Sequence, residues 1–174
     1  SAETAKNLMP NLIDWLEQQG VRLRKKAFRI EVLDRAEFNE RDTGHRDPLG
    51  ITVRRQYIRN KRVQSAEIEG VALLSGLPLT LFEGVCVHEL GHVWLVQKGI
   101  VNLPSIDEEG FCELLSHRRY VEIGSKADLY YAERIARNGS PIYGAGFRKL
   151  KKLEERVGFA QIIKSLIRKK KLPL

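Results

Sequence analysis

The stretch from Leu79 to Lys98, LTLFEGVCVHELGHVWLVQK, constrains this chain more than any other part of it. Gly76-Leu77-Pro78 breaks the preceding pattern, and the spacing predicts a long helix from about residue 78 to Gly99. Its flanking residues Val85, Val87, Leu90, Val93, Trp94 and Leu95 leave hardly any polar face, so such a helix must be buried. Yet it carries His88-Glu89-Leu90-Gly91-His92. Residues four apart share one helix face, so both imidazoles can point at one cation. Glu89 lies about 100° further round, beside such a cation, where it can take a proton from water. Two histidines and a glutamate buried side by side are costly unless something satisfies them, and a bound cation does so.

A catalytic zinc site needs a third protein ligand and one open position. Two cysteines and four histidines cannot build a thiolate zinc module, so the ligands must be histidine and carboxylate. The candidate segment is Asp107-Glu108-Glu109-Gly110-Phe111-Cys112-Glu113, with Glu109 or Glu108 as the ligand. Glu109 follows His92 by 17 residues, room for the helix to end, turn and be passed by a second one. Gly110 removes a side chain where two helices approach closely. Glu113 shares a face with Glu109 and can accept the free N–H of a ligating histidine, or be an ordinary surface carboxylate. Cys112, three residues from Glu109 on a similar face, can approach the metal but reads first as a small core residue, as does Cys86; Trp15 and Trp94 read as core, and His45 as part of a polar surface loop.

Around this segment the pattern is α+β, a small and mostly antiparallel sheet followed by helices, in one domain over 1–174. Residues 1–20 hold an N-terminal amphipathic helix, 21–75 the sheet, and 76–174 the helical part with a basic tail. Strands are expected at 27–33, 49–58 and 62–74, the last two joined by a turn at Asn60-Lys61, with a turn-rich loop at 39–48. Further helices are expected at about 107–122, 125–137, 145–157 and 159–170. No window approaches the 18 or so apolar residues of a membrane span, and the first residues do not read as an intact signal peptide. With so few cysteines, a reducing, cytoplasmic setting is the expectation. The net charge of +8 is uneven: residues 63–147 carry 6 basic and 11 acidic side chains, between basic flanks at 22–62 (13 against 6) and 148–174 (10 against 2). An acidic centre inside a basic chain suits a cation site, while the flanks read mainly as solvated faces.

His-Glu-x-x-His followed by a Glu-Gly-Phe helix is the general pattern of the gluzincin metallopeptidases. The fuller string resembles the C-terminal peptidase domain of the plant ubiquitin-activated, LIM-containing growth regulators, the DA-one family, in a stand-alone form. The matching stretches are LGIT (49–52), GLP (76–78), HELGHVWLVQKG (88–99), EEGFCELLSH (108–117) and YGAGFRK (143–149). At position 113 the chain departs from the family, with Glu113 where an amide is usual. The resemblance implies a zincin fold, zinc at His88, His92 and Glu109, and Glu89 as catalytic base.

The reading that follows is a zinc metallopeptidase that hydrolyses peptide bonds in a polypeptide substrate. Its tetrahedral intermediate needs a hydrogen-bond donor, and the candidates are His117, two turns beyond Glu109, and Tyr143 in the YGAGF segment. Residues 62–70 are expected to be an edge strand that pairs with extended substrate, with Arg62, Glu67 and Glu69 flanking the cleft. A ubiquitin-like activator is implied by the resemblance alone. Membrane and nucleic-acid partners are not expected. Two other readings stay open: a metal-stabilised regulatory or nucleic-acid-binding protein, motivated by the basic flanks, and an inactive pseudo-peptidase that binds a polypeptide.

Overall fold

A computed structural model describes residues 2–24, 28–41 and 48–173; His45 and most of the 39–48 loop lie outside them. The chain begins with α1 (Ala2–Gln18), whose Leu12, Trp15 and Leu16 recur at helical spacing and are buried. After β1 (Ile30–Leu33) comes a short helix, α2 (Arg35–Arg41), within which the expected loop would have begun. Its start is fixed by Asp34 and Glu37: the Glu37 N–H donates to Asp34 Oδ1 at 2.9 Å, and the Asp34 N–H donates to Glu37 Oε2 at 3.1 Å. This reciprocal pair is a capping box, and the spacing that encodes it is visible in the sequence. Phe38, fully buried, then pins the helix against Ala72 and Leu74.

β2 (Gly50–Arg59) and β3 (Arg62–Leu74) form the expected antiparallel hairpin, from Gly50 opposite Leu73 to Arg59 opposite Arg62. Asn60 and Lys61 both have positive φ, as a two-residue hairpin turn with the right twist requires. The sheet is mixed rather than largely antiparallel, because β1 pairs in parallel with the end of β3, Ile30 opposite Val71. A parallel neighbour needs a crossover connection, and between β1 and β3 the chain passes through α2 and then β2. Strand order is therefore β1-β3-β2, which makes β2 an outer strand.

Five helices follow: α3 (Leu79–Gln97), α4 (Ser105–Ile123), α5 (Lys126–Ala136), α6 (Tyr143–Val157) and α7 (Phe159–Lys169). As its composition demands, α3 is enclosed on nearly all sides, with Val87, Val93, Trp94 and Leu95 inaccessible to solvent. Trp94 stacks on Phe111 of α4 at 5.5 Å, and Phe111 lies parallel to Phe159 of α7 at 6.4 Å, so one aromatic column ties the helical layer together. Cys86, Trp15 and Trp94 are core residues, as expected.

One crossing decides where the site can form. A Cβ at Gly110 would lie 2.5 Å from the carbonyl of Gly146, and one at Gly146 would lie 2.3 Å from the Ile106 oxygen. The backbones of α4 and α6 touch here, which no side chain at either position allows. The contact brings Tyr143, the first residue of α6, beside His88. Among the described residues, no helix is long and apolar enough to cross a membrane.

Candidate metal centre

The middle of α3 and the first turns of α4 meet face to face. Glu109 Oε2 lies 3.1 Å from His88 Nε2 and 3.4 Å from His92 Nε2, and the two nitrogens are 3.2 Å apart. Three donor atoms thus form a nearly equilateral triangle. A four-coordinate ion with arms of about 2.0–2.1 Å has donor–donor edges of about 3.3–3.4 Å in tetrahedral geometry, so the group fits such an ion. Cys112 also belongs to the neighbourhood: ligand atoms of His88, His92 and Cys112 all lie within 4.8 Å of one another. Cys112 is a core residue, as the sequence reads it, fully buried in the main hydrophobic cluster, and its thiol also borders the donor group. Burial pushes its thiol up to about 12.

Further carboxylates hold the imidazoles from behind. Glu108, the rival ligand, instead receives His92 Nδ1 at 3.0 Å and the Arg54 guanidinium at 2.7 Å on the same oxygen. Glu113 Oε1 lies 3.5 Å from His88 Nδ1, on the side where a ligating histidine needs an acceptor. Each histidine therefore directs one nitrogen at the common point and the other at a glutamate. Burial works to lower both imidazole pKa values, but contacts with Glu109 and then Glu113 at His88, and with Cys112, Glu108 and then Glu109 at His92, raise them instead. Burial likewise opposes ionisation of Glu109, and its hydrogen bonds to the two histidines win, holding it well below the usual carboxylate range. Two imidazoles facing three carboxylates in a half-enclosed space is a setting in which a dication is electrostatically favoured.

Glu89 sits beside this group, buried, and is positioned by β2. The Thr52 hydroxyl donates to Glu89 Oε2 at 2.7 Å. Gly50 packs against the same side chain, where a Cβ would come within 2.7 Å of Glu89 Cγ. The strand that touches the site is β2, with Gly50, Thr52 and Arg54, rather than residues 62–70. Residues 62–70 do pair with β2 alone, because β1 covers β3 only at Val71–Leu74, so their other edge is open as expected; but it is β2 that meets Glu89 and Glu108. Of the residues expected to flank the cleft, Glu69 is paired with Arg55 at 2.6 Å.

Tyr143 lies with its ring centre 6.3 Å from that of His88. Burial, and then the charge of Glu109, push its phenol up to about 12, so it remains a hydrogen-bond donor at ordinary pH. His117 stands apart. Its ring rests on Phe147 at 4.7 Å, and its Nδ1 is buried without a partner among the described residues. Eight residues along a helix is about 12 Å, which carries His117 past the donor group. A cavity of about 610 Å³ opens beside the centre, with His88, Glu89, Glu113 and Tyr143 in its wall and Tyr131, Arg134 and Ile135 of α5 also lining it. Thr52 falls in the LGIT stretch that carries the resemblance, which assigns it no role; Arg54 and the second role of Glu108 have no local sequence signal, since each depends on a contact between distant segments.

Fold and site together define an α+β protein with a helix-borne candidate metal-binding group. The profile of the DA1-like family, described as Protein DA1, matches residues 17–127, and the chain belongs to this family. That span holds every donor described above except Tyr143. Among its relatives, Protein DA1-related 7 of Arabidopsis thaliana is 26% identical over 137 residues, which is 61% of this chain and 24% of that protein. Protein DA1 of the same plant is 26% identical over 116 residues, 51% of this chain and 22% of its own length. The LIM domain-containing protein HDR3 of Oryza sativa subsp. japonica is 39% identical over 57 residues, 33% of this chain and 11% of that protein. The chain thus spans about a quarter or less of these relatives. No solved structure matches it.

Proposed function

We propose that the chain is a zinc-dependent endopeptidase of zincin type. The observation that carries this reading is the triangle of His88 Nε2, His92 Nε2 and Glu109 Oε2, with sides of 3.1–3.4 Å, directly beside a buried glutamate. Membership of the DA1-like family supports a peptidase-like or regulatory role.

Zinc held by His88, His92 and Glu109 supplies an acidified water and a Lewis acid for the scissile carbonyl. Glu89 takes the proton from the attacking water and passes it to the leaving amine. Thr52 keeps one carboxylate oxygen of Glu89 occupied, which leaves the other free for this traffic. Tyr143 donates to the oxygen that becomes negative at the tetrahedral stage, a role its place beside His88 suits better than the place of His117. The outer strand β2 offers unpaired backbone groups to an extended polypeptide, which then crosses the site next to Glu89. A polypeptide substrate is part of this proposal, and the family resemblance adds a ubiquitin-like activator to it.

Elemental analysis of the purified protein, joined to a peptide-library digest with and without chelator, tests the reading. Stoichiometric zinc and chelator-sensitive cleavage are expected. Glu89→Gln should keep the zinc and lower kcat by about 10²–10⁴-fold. Zinc without cleavage of any peptide points to a binding protein, and indifference of every activity to Glu89→Gln points to a structural metal.

A further inference from the structure

We infer that the cavity beside the metal centre is a specificity pocket for a peptide segment that joins a bulky apolar residue to a carboxylate, and that Arg134 reads the carboxylate. The inference rests on the peptidase reading and names the substrate class of that site.

The walls set the apolar part. Leu49 from the start of β2, Leu81 and Val85 from α3, and Ile135 from α5 line the cavity together with the rings of Tyr120 and Tyr131. Its volume of about 610 Å³ is within the range of pockets that enclose whole small ligands, so a large side chain and part of its neighbour fit.

The charges set the rest. Arg134 is the one lysine or arginine in the lining. Among the described residues, no carboxylate comes within ion-pair distance of it, and its guanidinium carbon is 5.9 Å from the Tyr130 ring centre. The surrounding arginines differ: Arg118 is paired with Glu154, Arg119 with Glu83, and Arg137 with Glu133. Glu89 and Glu113 stand in the same cavity wall, so Arg134 is the one cationic side chain that the wall offers to a ligand carboxylate. A guanidinium matches a carboxylate with two parallel hydrogen bonds. A carboxylate held there fixes the orientation of a bound segment as well as its composition. The carboxylate can be an Asp or Glu side chain or a chain terminus, which share this chemistry.

Binding to zinc-loaded Glu89→Gln protein tests the inference without turnover. The probes are fluorescein-labelled octapeptides with a central Phe and Glu, Gln or Lys at each neighbouring position, in amidated and free-acid sets. At low salt, Glu peptides should bind about fivefold more tightly than Gln peptides at one position, with Lys weakest, and added salt should shrink the gap. Arg134→Gln should erase the preference and Arg134→Glu should reverse it, Lys peptides then binding best. Preference within the amidated set identifies an acidic side chain. Preference for free acids over amides that Arg134→Gln erases identifies a chain terminus; either supports the pocket, whereas a free-acid preference that survives Arg134→Gln is capture by the metal and overturns the assignment. Absence of binding by every peptide overturns it, as does an acidic preference that survives Arg134→Glu. If wild-type protein cleaves nothing while the Arg134-dependent preference holds, the pocket stands and the peptidase reading falls. Cleavage with no such preference has the opposite meaning.

Discussion

The hydroxyl of Thr52 on β2 and the carboxylate of Glu89 on α3 are joined by a 2.7 Å hydrogen bond, with Thr52 also 3.2 Å from the Glu89 carbonyl. A residue of the sheet thereby fixes the rotamer of a buried glutamate that lies beside the donor triangle without joining it. Thr52→Val keeps the shape and removes the donor. We expect kcat to fall about tenfold with KM and zinc content little changed, and Thr52→Ser to restore most of the loss. Steady-state kinetics alongside metal analysis checks this; an equal fall in zinc content would show a structural role instead.

Two α4 side chains compete for the third ligand position, and competition with a chromophoric chelator separates them. Glu109→Ala should weaken zinc binding by at least about 10²-fold, and Glu108→Gln by about 10- to 100-fold through loss of support behind His92. Cys112→Ser should leave affinity within about threefold. If Cys112→Ser releases the metal and Glu109→Ala retains it, the thiol is the ligand.

Gly110 meets the backbone of Gly146, which has no side chain to rotate away. Gly110→Ala should therefore force α4 and α6 apart, at a cost of about 2–3 kcal/mol, or roughly 5–10 °C in Tm. Because α6 begins with Tyr143, activity per folded molecule should also fall. A Tm within 1 °C or so of the parent would mean that the helices are not in contact.

Glu154 on α6 is nearly enclosed and accepts hydrogen bonds from Arg118 and Lys151. Burial alone would raise its pKa; those two cations outweigh burial and hold it below the ordinary value. The unfolded chain therefore takes up this proton first as pH falls, so the stabilisation is present above about pH 4.5 and is lost as acid titrates the folded carboxylate. Urea unfolding from pH 7 to 3 should show the decline, and Glu154→Gln should be less stable at pH 7 with a flatter acid limb. Parallel curves for the two proteins would exclude Glu154 as a source of acid lability.

Much of the helical layer was legible because its signals are local. The apolar run from Leu79 to Gln97, the 88/89/92 spacing and the placing of Glu109 on the next helix all follow from a period of 3.6 residues and a short connection. Asp34-x-x-Glu37 is equally local, and it starts α2 just ahead of the turn-forming residues that read as a loop from residue 39. The direction of β1 was not legible: a four-residue strand carries no mark of whether its partner runs parallel or antiparallel.

By itself the sequence determined which residues share a buried helix face, and so that two imidazoles and a glutamate had to be satisfied together inside the protein. Only the tertiary structure decided what satisfies them. Sheet order set Thr52 and Gly50 on Glu89, the α4–α3 approach gave Glu109 to both Nε2 atoms and Glu108 to His92 Nδ1, and the Gly110–Gly146 contact drew Tyr143 in while leaving His117 on Phe147. Helical periodicity acts over a few residues and is written along the chain, whereas these contacts join segments 16 to 54 positions apart, where only the packing of whole elements brings one side chain to another.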